Sequence, residues 1–153
     1  MVIDQRTAIA ERTATTVWGG GLAAGRGTIT SGSGALKALP VTWAARTRQP
    51  DGMTSPEELA AAAHASCFSM ALALRLGEHD ATARRLDVNA TVSLDDVDGR
   101  PTITSSALRV RADIPGLEDE AFSSIVEEAA ALCPVSRLFA GAAITVDAAL
   151  DAG

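Results

Sequence analysis

The chain is nearly bare of aromatic residues, which make up 3% of its 153 positions, with no Tyr among them. A stacking platform for single-stranded nucleic acid needs such rings, so that class is excluded. Positive charge is scarce as well. Thirteen Lys and Arg stand against nineteen Asp and Glu, a formal charge of −6, whereas a nucleic-acid backbone binder works by neutralising phosphates. Lys37 is the one lysine. No unbroken apolar run of spanning length occurs, because Leu59 to Leu76 is interrupted by His64, Ser66, Ser69 and Arg75. The first ten residues carry charges and no apolar signal core, so no membrane is expected and the expected location is the cytoplasm. Two cysteines in a reducing compartment are inert, metal-binding or redox-active rather than a structural staple.

What is present fits one globular domain. Hydrophobic residues are 47% and charged residues 21%, ordinary for a packed fold, and a chain of this length can bury a core without staples. Residues 1–12 read as a flexible leader and 13–153 as a single domain. Thr13 to Trp18 is β-rich. The glycine-rich passage from Gly19 to Gly34 has no Gly-Lys-Ser/Thr ending, so it reads as turns between strands and not as a phosphate cradle. Strands are expected at Arg26–Ser31 and Val41–Thr47. Ser55-Pro56-Glu57-Glu58 carries the signature of a helix start, and an Ala-rich central helix continues to Leu76, closed by Gly77. With so few polar positions, most of its circumference should be buried. Arg85–Asp95 and Thr102–Ile114 alternate as half-buried strands joined by a turn at Asp98-Gly99. Leu117–Leu132 is an amphipathic helix with Phe122, Ile125, Val126 and Ala129 on one face. A short helix follows from Pro134, and a last strand covers Ala143–Ala149. The order points to an α+β fold with antiparallel sheets.

The residues able to do chemistry are few. Cys67 lies about three turns into the central helix, and Cys133 stands just before Pro134. Both could be inert space-fillers. A reactive thiol must lose its proton, and free cysteine has a pKa near 8.5. Lowering that by two units takes about 2.7 kcal/mol of preference for the thiolate, which a partly buried arginine can supply. Arg46 and Arg48 are the nearest upstream candidates, and Glu57 could hold a guanidinium in a forked pair. His64 and Cys67, at i and i+3, have metal-ligand spacing, but His79 and Cys133 are the only other such ligands. A Cys–His hydrolase would need its base on another element, so His64 reads best as a packed, hydrogen-bonded histidine.

Two motifs carry a resemblance. Thr54-Ser55-Pro56-Glu57-Glu58-Leu59 with Ala62-Ala63-His64-Ala65-Ser66-Cys67-Phe68-Ser69-Met70-Ala71-Leu72, and then Cys133-Pro134-Val135-Ser136, resemble the two cysteine motifs of the OsmC/Ohr family of thiol-dependent peroxidases. Further similarity, at Trp18-Gly19, Gly25-Arg26-Gly27-Thr28, Ala90 to Asp95, Pro115-Gly116 and Ile144 to Ala148, extends it from about residue 14 to 150. The wording around Cys67 is closer to the OsmC branch. The resemblance implies an intertwined homodimer in which antiparallel sheets wrap two central helices, with active sites at the subunit interface. It implies that Cys67 is the peroxidatic cysteine, Cys133 the resolving cysteine, Arg48 the activating arginine and Glu57 its carboxylate partner. Organic hydroperoxides would be the substrates, an external dithiol the reductant, and no metal or other cofactor would take part. The loop Gln49-Pro50-Asp51-Gly52-Met53 departs from the family, which usually continues there with an aromatic and more glycine. A non-catalytic dimeric stress or binding protein on the same scaffold is the alternative.

Overall fold

Short strands and turn glycines build the first part of the chain, and one long helix with two long strands builds the second. The computed structural model describes residues 8–152, so residues 1–7 of the expected leader lie outside the described residues. Two compact units result, Met1–Ser55 and Pro56–Gly153.

In the first unit, β1 (Ala14–Gly19), β2 (Arg26–Ser31) and β3 (Leu39–Val41) form an antiparallel sheet in that order. The glycines between β1 and β2 make a tight turn, as expected. The Gly25 N–H donates to the Gly21 carbonyl at 2.7 Å, and a Cβ on Gly25 would sit 2.3 Å from that oxygen. The strand expected over Val41–Thr47 is a correction. The strand stops at Val41, and Trp43–Thr47 is a short helix, α1. Thr42 decides this, because its hydroxyl accepts the Ala45 N–H at 3.0 Å and caps the turn. Arg46 therefore lies in the last turn of a helix and Arg48 at its C-cap, not at a strand end.

The second unit holds α2 (Pro56–Glu78), β4 (Arg85–Val97), β5 (Arg100–Asp113), α3 (Asp119–Leu132), α4 (Pro134–Leu138) and β6 (Ala143–Leu150). Helix α2 runs through Gly77. It ends at Glu78 and is closed by Asp80, whose φ of 57° is left-handed, with the Ala81 N–H returning to the Leu76 carbonyl and the Asp80 N–H to that of Gly77. That is a Schellman closure, with aspartate in the place where glycine is usual. The β4–β5 hairpin turns at Asp98 and Gly99, both at positive φ, as a two-residue primed turn requires. Strand β6 pairs with β5 in parallel, so the sheet is mixed and the expected all-antiparallel arrangement is corrected. The chain must cross over to make a parallel pair, and α3 and α4 are that crossover.

The core lies between helices and sheet: Phe68, Leu72 and Leu76 from α2, Leu108, Val110 and Ala112 from β5, and Phe122, Ile125, Val126 and Ala129 from α3. Within one chain α2 buries one face and not most of its circumference. Met70 is 69% and Leu74 54% exposed on the other side. The helix is also long and apolar enough, with a mean hydropathy of 1.4 over 18 residues, to cross a membrane by length and composition. Its polar interruptions do not exclude a span by themselves. Among them His64 is buried against the core side.

Candidate active site

Proline 134 shapes the site. A residue before proline is pushed out of helical angles, and Cys133, at φ −59° and ψ 115°, ends α3 and starts α4. The bend carries its sulfur to α2, where Cys67 and Cys133 lie near enough for each thiol to influence the other. Both cysteines are free. Cys133 is fully buried in the core, while Cys67 is half-buried. Cys67 opens on a cleft of about 490 Å³ walled by Ala63, Met70, Ala71 and Leu74 of α2 with Leu132 and Pro134.

The two thiols are tuned in opposite directions. Burial pushes Cys67 up. The Val135 N–H pulls it back in part, and the hydrogen bond and charge of Cys133 push it up again. Burial also acts against the Cys133 thiolate. There, however, the Ser136 hydroxyl, the N–H groups of Ser136 and Val135, and the Cys67 thiol together outweigh it, and Cys133 ends below the ordinary cysteine value.

Behind Cys133 stands His64, wholly buried. Its Nδ1 is 2.6 Å from Ser106 Oγ on β5, and its Nε2 is 2.8 Å from Ser136 Oγ on α4. Phe139 meets the ring edge-on at 5.2 Å. Burial holds the imidazole below its usual pKa, so it is neutral at physiological pH. This is the packed, hydrogen-bonded histidine expected from the sequence. With both ring nitrogens engaged by hydroxyls, it is not presented to a metal. His79 is remote from it in role, pairing with Glu128 at 3.1 Å on the surface.

The structure thus brings Cys67 and Cys133 together. Glu57 is buried in the first turn of α2. It lies ten residues before Cys67 on the same helix, about 15 Å along the axis at 1.5 Å per residue. Arg48 belongs to the first unit, where it is exposed, and Arg46 stacks its guanidinium 5.8 Å from the centre of the Trp43 ring. Ser106, Val135 and Ser136 were not foreseen as site residues. Two were in plain sight: Ser136 closes the second cysteine motif, and Ser106 shares the inward parity of Leu108, Val110 and Ala112 on β5.

An α+β frame that holds two free thiols together at an apolar cleft defines a thiol-dependent redox protein. Within that class the chain belongs to the OsmC-like family, whose profile, "OsmC-like protein", matches residues 49–149. It is 44% identical over 130 residues to peroxiredoxin OsmC of Escherichia coli K12, covering 85% of this chain and 90% of that protein. It is 35% identical over 85 residues to an organic hydroperoxide resistance protein-like protein of Mycoplasma pneumoniae, 55% of this chain and 59% of that one. Among solved structures, the organic hydroperoxide resistance protein OhrB of Bacillus subtilis superposes with a TM-score of 0.69 at 29% identity, covering 91% of this chain and 98% of that one. An OsmC-like protein from Mycoplasma pneumoniae shares the fold, with a TM-score of 0.73 at 17% identity over 95% and 100% of the two chains. The chain is a peroxidase of the peroxiredoxin type.

Proposed function

We propose that the chain reduces organic hydroperoxides to alcohols with Cys67 as the peroxidatic residue and Cys133 as the resolving one. The Cys67 thiolate attacks the distal peroxide oxygen and the O–O bond breaks. The alkoxide takes a proton and leaves as alcohol, and Cys67 becomes a sulfenic acid. The Cys133 sulfur then displaces the sulfenic oxygen, forming a Cys67–Cys133 disulfide and releasing water. An external dithiol restores both thiols by exchange and is itself oxidised to a disulfide.

The observation that carries this reading is the meeting of two free thiols, 66 positions apart in sequence, at the wall of an apolar cleft. The apolar wall favours an alkyl-bearing peroxide over hydrogen peroxide. Because Cys67 is pushed up within its own unit, it needs a cation, and we assign that role to Arg48, held by the Glu57 carboxylate. The names of the relatives in Escherichia coli and Bacillus subtilis agree with a hydroperoxide substrate. The exposed apolar face of α2 around Met70 and Leu74 supports a homodimer in which partner chains cover each other. The unit of function is then a cytoplasmic dimer that needs no metal, nucleic acid or membrane.

Stopped-flow oxidation tests the reading. Cumene hydroperoxide should oxidise the reduced protein faster than hydrogen peroxide does, and Cys133→Ser should leave a trappable sulfenic acid on Cys67. A protein that consumes no organic hydroperoxide in the presence of dithiol contradicts it.

A further inference from the structure

An external dithiol that reduces the Cys67–Cys133 bridge must attack one of two joined sulfurs, and the two are not equally open to it. Cys133 is 0% exposed and belongs to the core cluster with Phe68, Val126 and Ala129, whereas Cys67 is half-buried and lines the cleft. We propose that the dithiol enters the same cleft as the hydroperoxide and attacks the Cys67 sulfur, with Cys133 as the leaving group. The proposal rests on the assignment of Cys67 as peroxidatic and Cys133 as resolving.

Access separates the two sulfurs. Thiol–disulfide exchange needs a thiolate to reach the sulfur it attacks, so its rate depends on which sulfur is open. Cys133 stands at the corner where α3 ends and α4 begins. Ala129, one turn back on α3, is wholly buried, and Ser136, three residues on, is nearly so. Protein interiors pack as densely as organic crystals, so no path is left there for an incoming thiol. A second copy of the chain can only cover more of Cys133, and the sulfur stays closed in a dimer. Cys67 instead shares the wall of the 490 Å³ cleft with Ala63, Met70, Leu74, Leu132 and Pro134, and Cys133 takes no part in that wall.

The exchange then runs in one direction. One thiolate of the dithiol bonds to Cys67 Sγ as the Cys67–Cys133 bond breaks, and Cys133 leaves as a thiolate and takes a proton. The second thiol of the reductant, as thiolate, attacks the reductant sulfur of the mixed disulfide. It closes a disulfide within the reductant and expels Cys67, which is protonated in turn. Two electrons pass from the dithiol to the protein, and both protein thiols are restored. Leaving-group chemistry favours the same direction, because a thiol of lower pKa departs faster. Cys133 is held below the ordinary cysteine value, while Cys67 is pushed above it. Hydroperoxide and dithiol therefore take turns in one cleft.

Chemical quench identifies the attacked sulfur. Wild-type protein oxidised with one equivalent of cumene hydroperoxide is mixed with 2-mercaptoethanol, a monothiol whose first attack ends at the mixed disulfide. Samples are quenched in acid at the earliest times and mapped by mass spectrometry. The adduct should sit on Cys67, with Cys133 recovered as a free thiol. A first adduct on Cys133 overturns the proposal and shows that the corner between α3 and α4 opens to release that sulfur. Starting material without a Cys67–Cys133 bridge refutes the underlying assignment instead. Filling the cleft gives a second readout. Ala63→Phe, on the cleft wall four residues before Cys67, should slow oxidation by cumene hydroperoxide and re-reduction by dithiothreitol alike. Each should fall about tenfold, the equivalent of about 1.4 kcal/mol in the barrier. Re-reduction at the wild-type rate contradicts a shared entrance. Should Ala63→Phe fold poorly, the wild-type mapping decides alone.

Discussion

Cys67 and Cys133 reach each other yet sit in opposite surroundings. Cys67 is half-exposed on an apolar cleft and its thiol is pushed up, while Cys133 is sealed in the core and its thiol is held down. Exposure alone would order them the other way, since burial disfavours a thiolate. Polar neighbours decide the matter: the Ser136 hydroxyl and the nearby backbone of Ser136 and Val135 hold the Cys133 thiol down, whereas the Val135 backbone alone acts that way on Cys67. A thiol in such an apolar setting becomes a nucleophile only with help from outside its own helix, the part assigned to Arg48.

The sharpest way to break the comparison is to remove one sulfur. Cys67→Ser should lower dithiol-dependent hydroperoxide turnover to background, roughly 10³-fold or more, without loss of stability in urea unfolding. Turnover that survives would move the chemistry to Cys133. The two faces of α2 give the next largest effect. Phe68 is wholly buried, so Phe68→Ala should cost about 3–5 kcal/mol of unfolding free energy. The wild-type midpoint should fall on dilution, as for any dimer, and Met70→Ala, on the exposed face, should lower the midpoint further at low protein concentration as a dimer contact is weakened. A midpoint indifferent to concentration would argue against the covered face.

Smaller effects probe the Cys133 side. Ser106→Ala strands the buried Nδ1 of His64 and should cost about 1–3 kcal/mol, measured by the same unfolding. The pH dependence follows from the lowered His64 pKa. Below about 6.5 the unfolded chain binds a proton at this histidine that the folded chain refuses. Stability is therefore lost as pH falls from 6.5 toward the folded pKa, with a slope of at most about 1.4 kcal/mol per pH unit from this group. His64→Asn should remove that slope, and equal slopes for both proteins would contradict a neutral buried imidazole.

Much of this was legible in the residues, and what was not has local physical causes. The alternation of β4 and β5, the inward face of α3 and the Cys133-Pro134 break follow from period and proline chemistry, and each stands where expected. The helix at Trp43–Thr47 was hidden because Val41, Thr42 and Trp43 favour strands by type, while a single hydroxyl cap overrides them. Gly77 looked like a stop, yet the helix ended where Asp80 could turn left-handed. The parallel pairing of β6 depends on the path of α3 and α4, which no short-range pattern encodes. The meeting of the two thiols was legible through the family resemblance and not from their spacing.

The most direct test of the central claim is disulfide mapping by mass spectrometry after one equivalent of cumene hydroperoxide. The account predicts a loss of two hydrogens per chain and one intrachain bridge between Cys67 and Cys133. Two intact thiols, or oxidation that stops at one sulfur without a bridge in the wild-type protein, would contradict it.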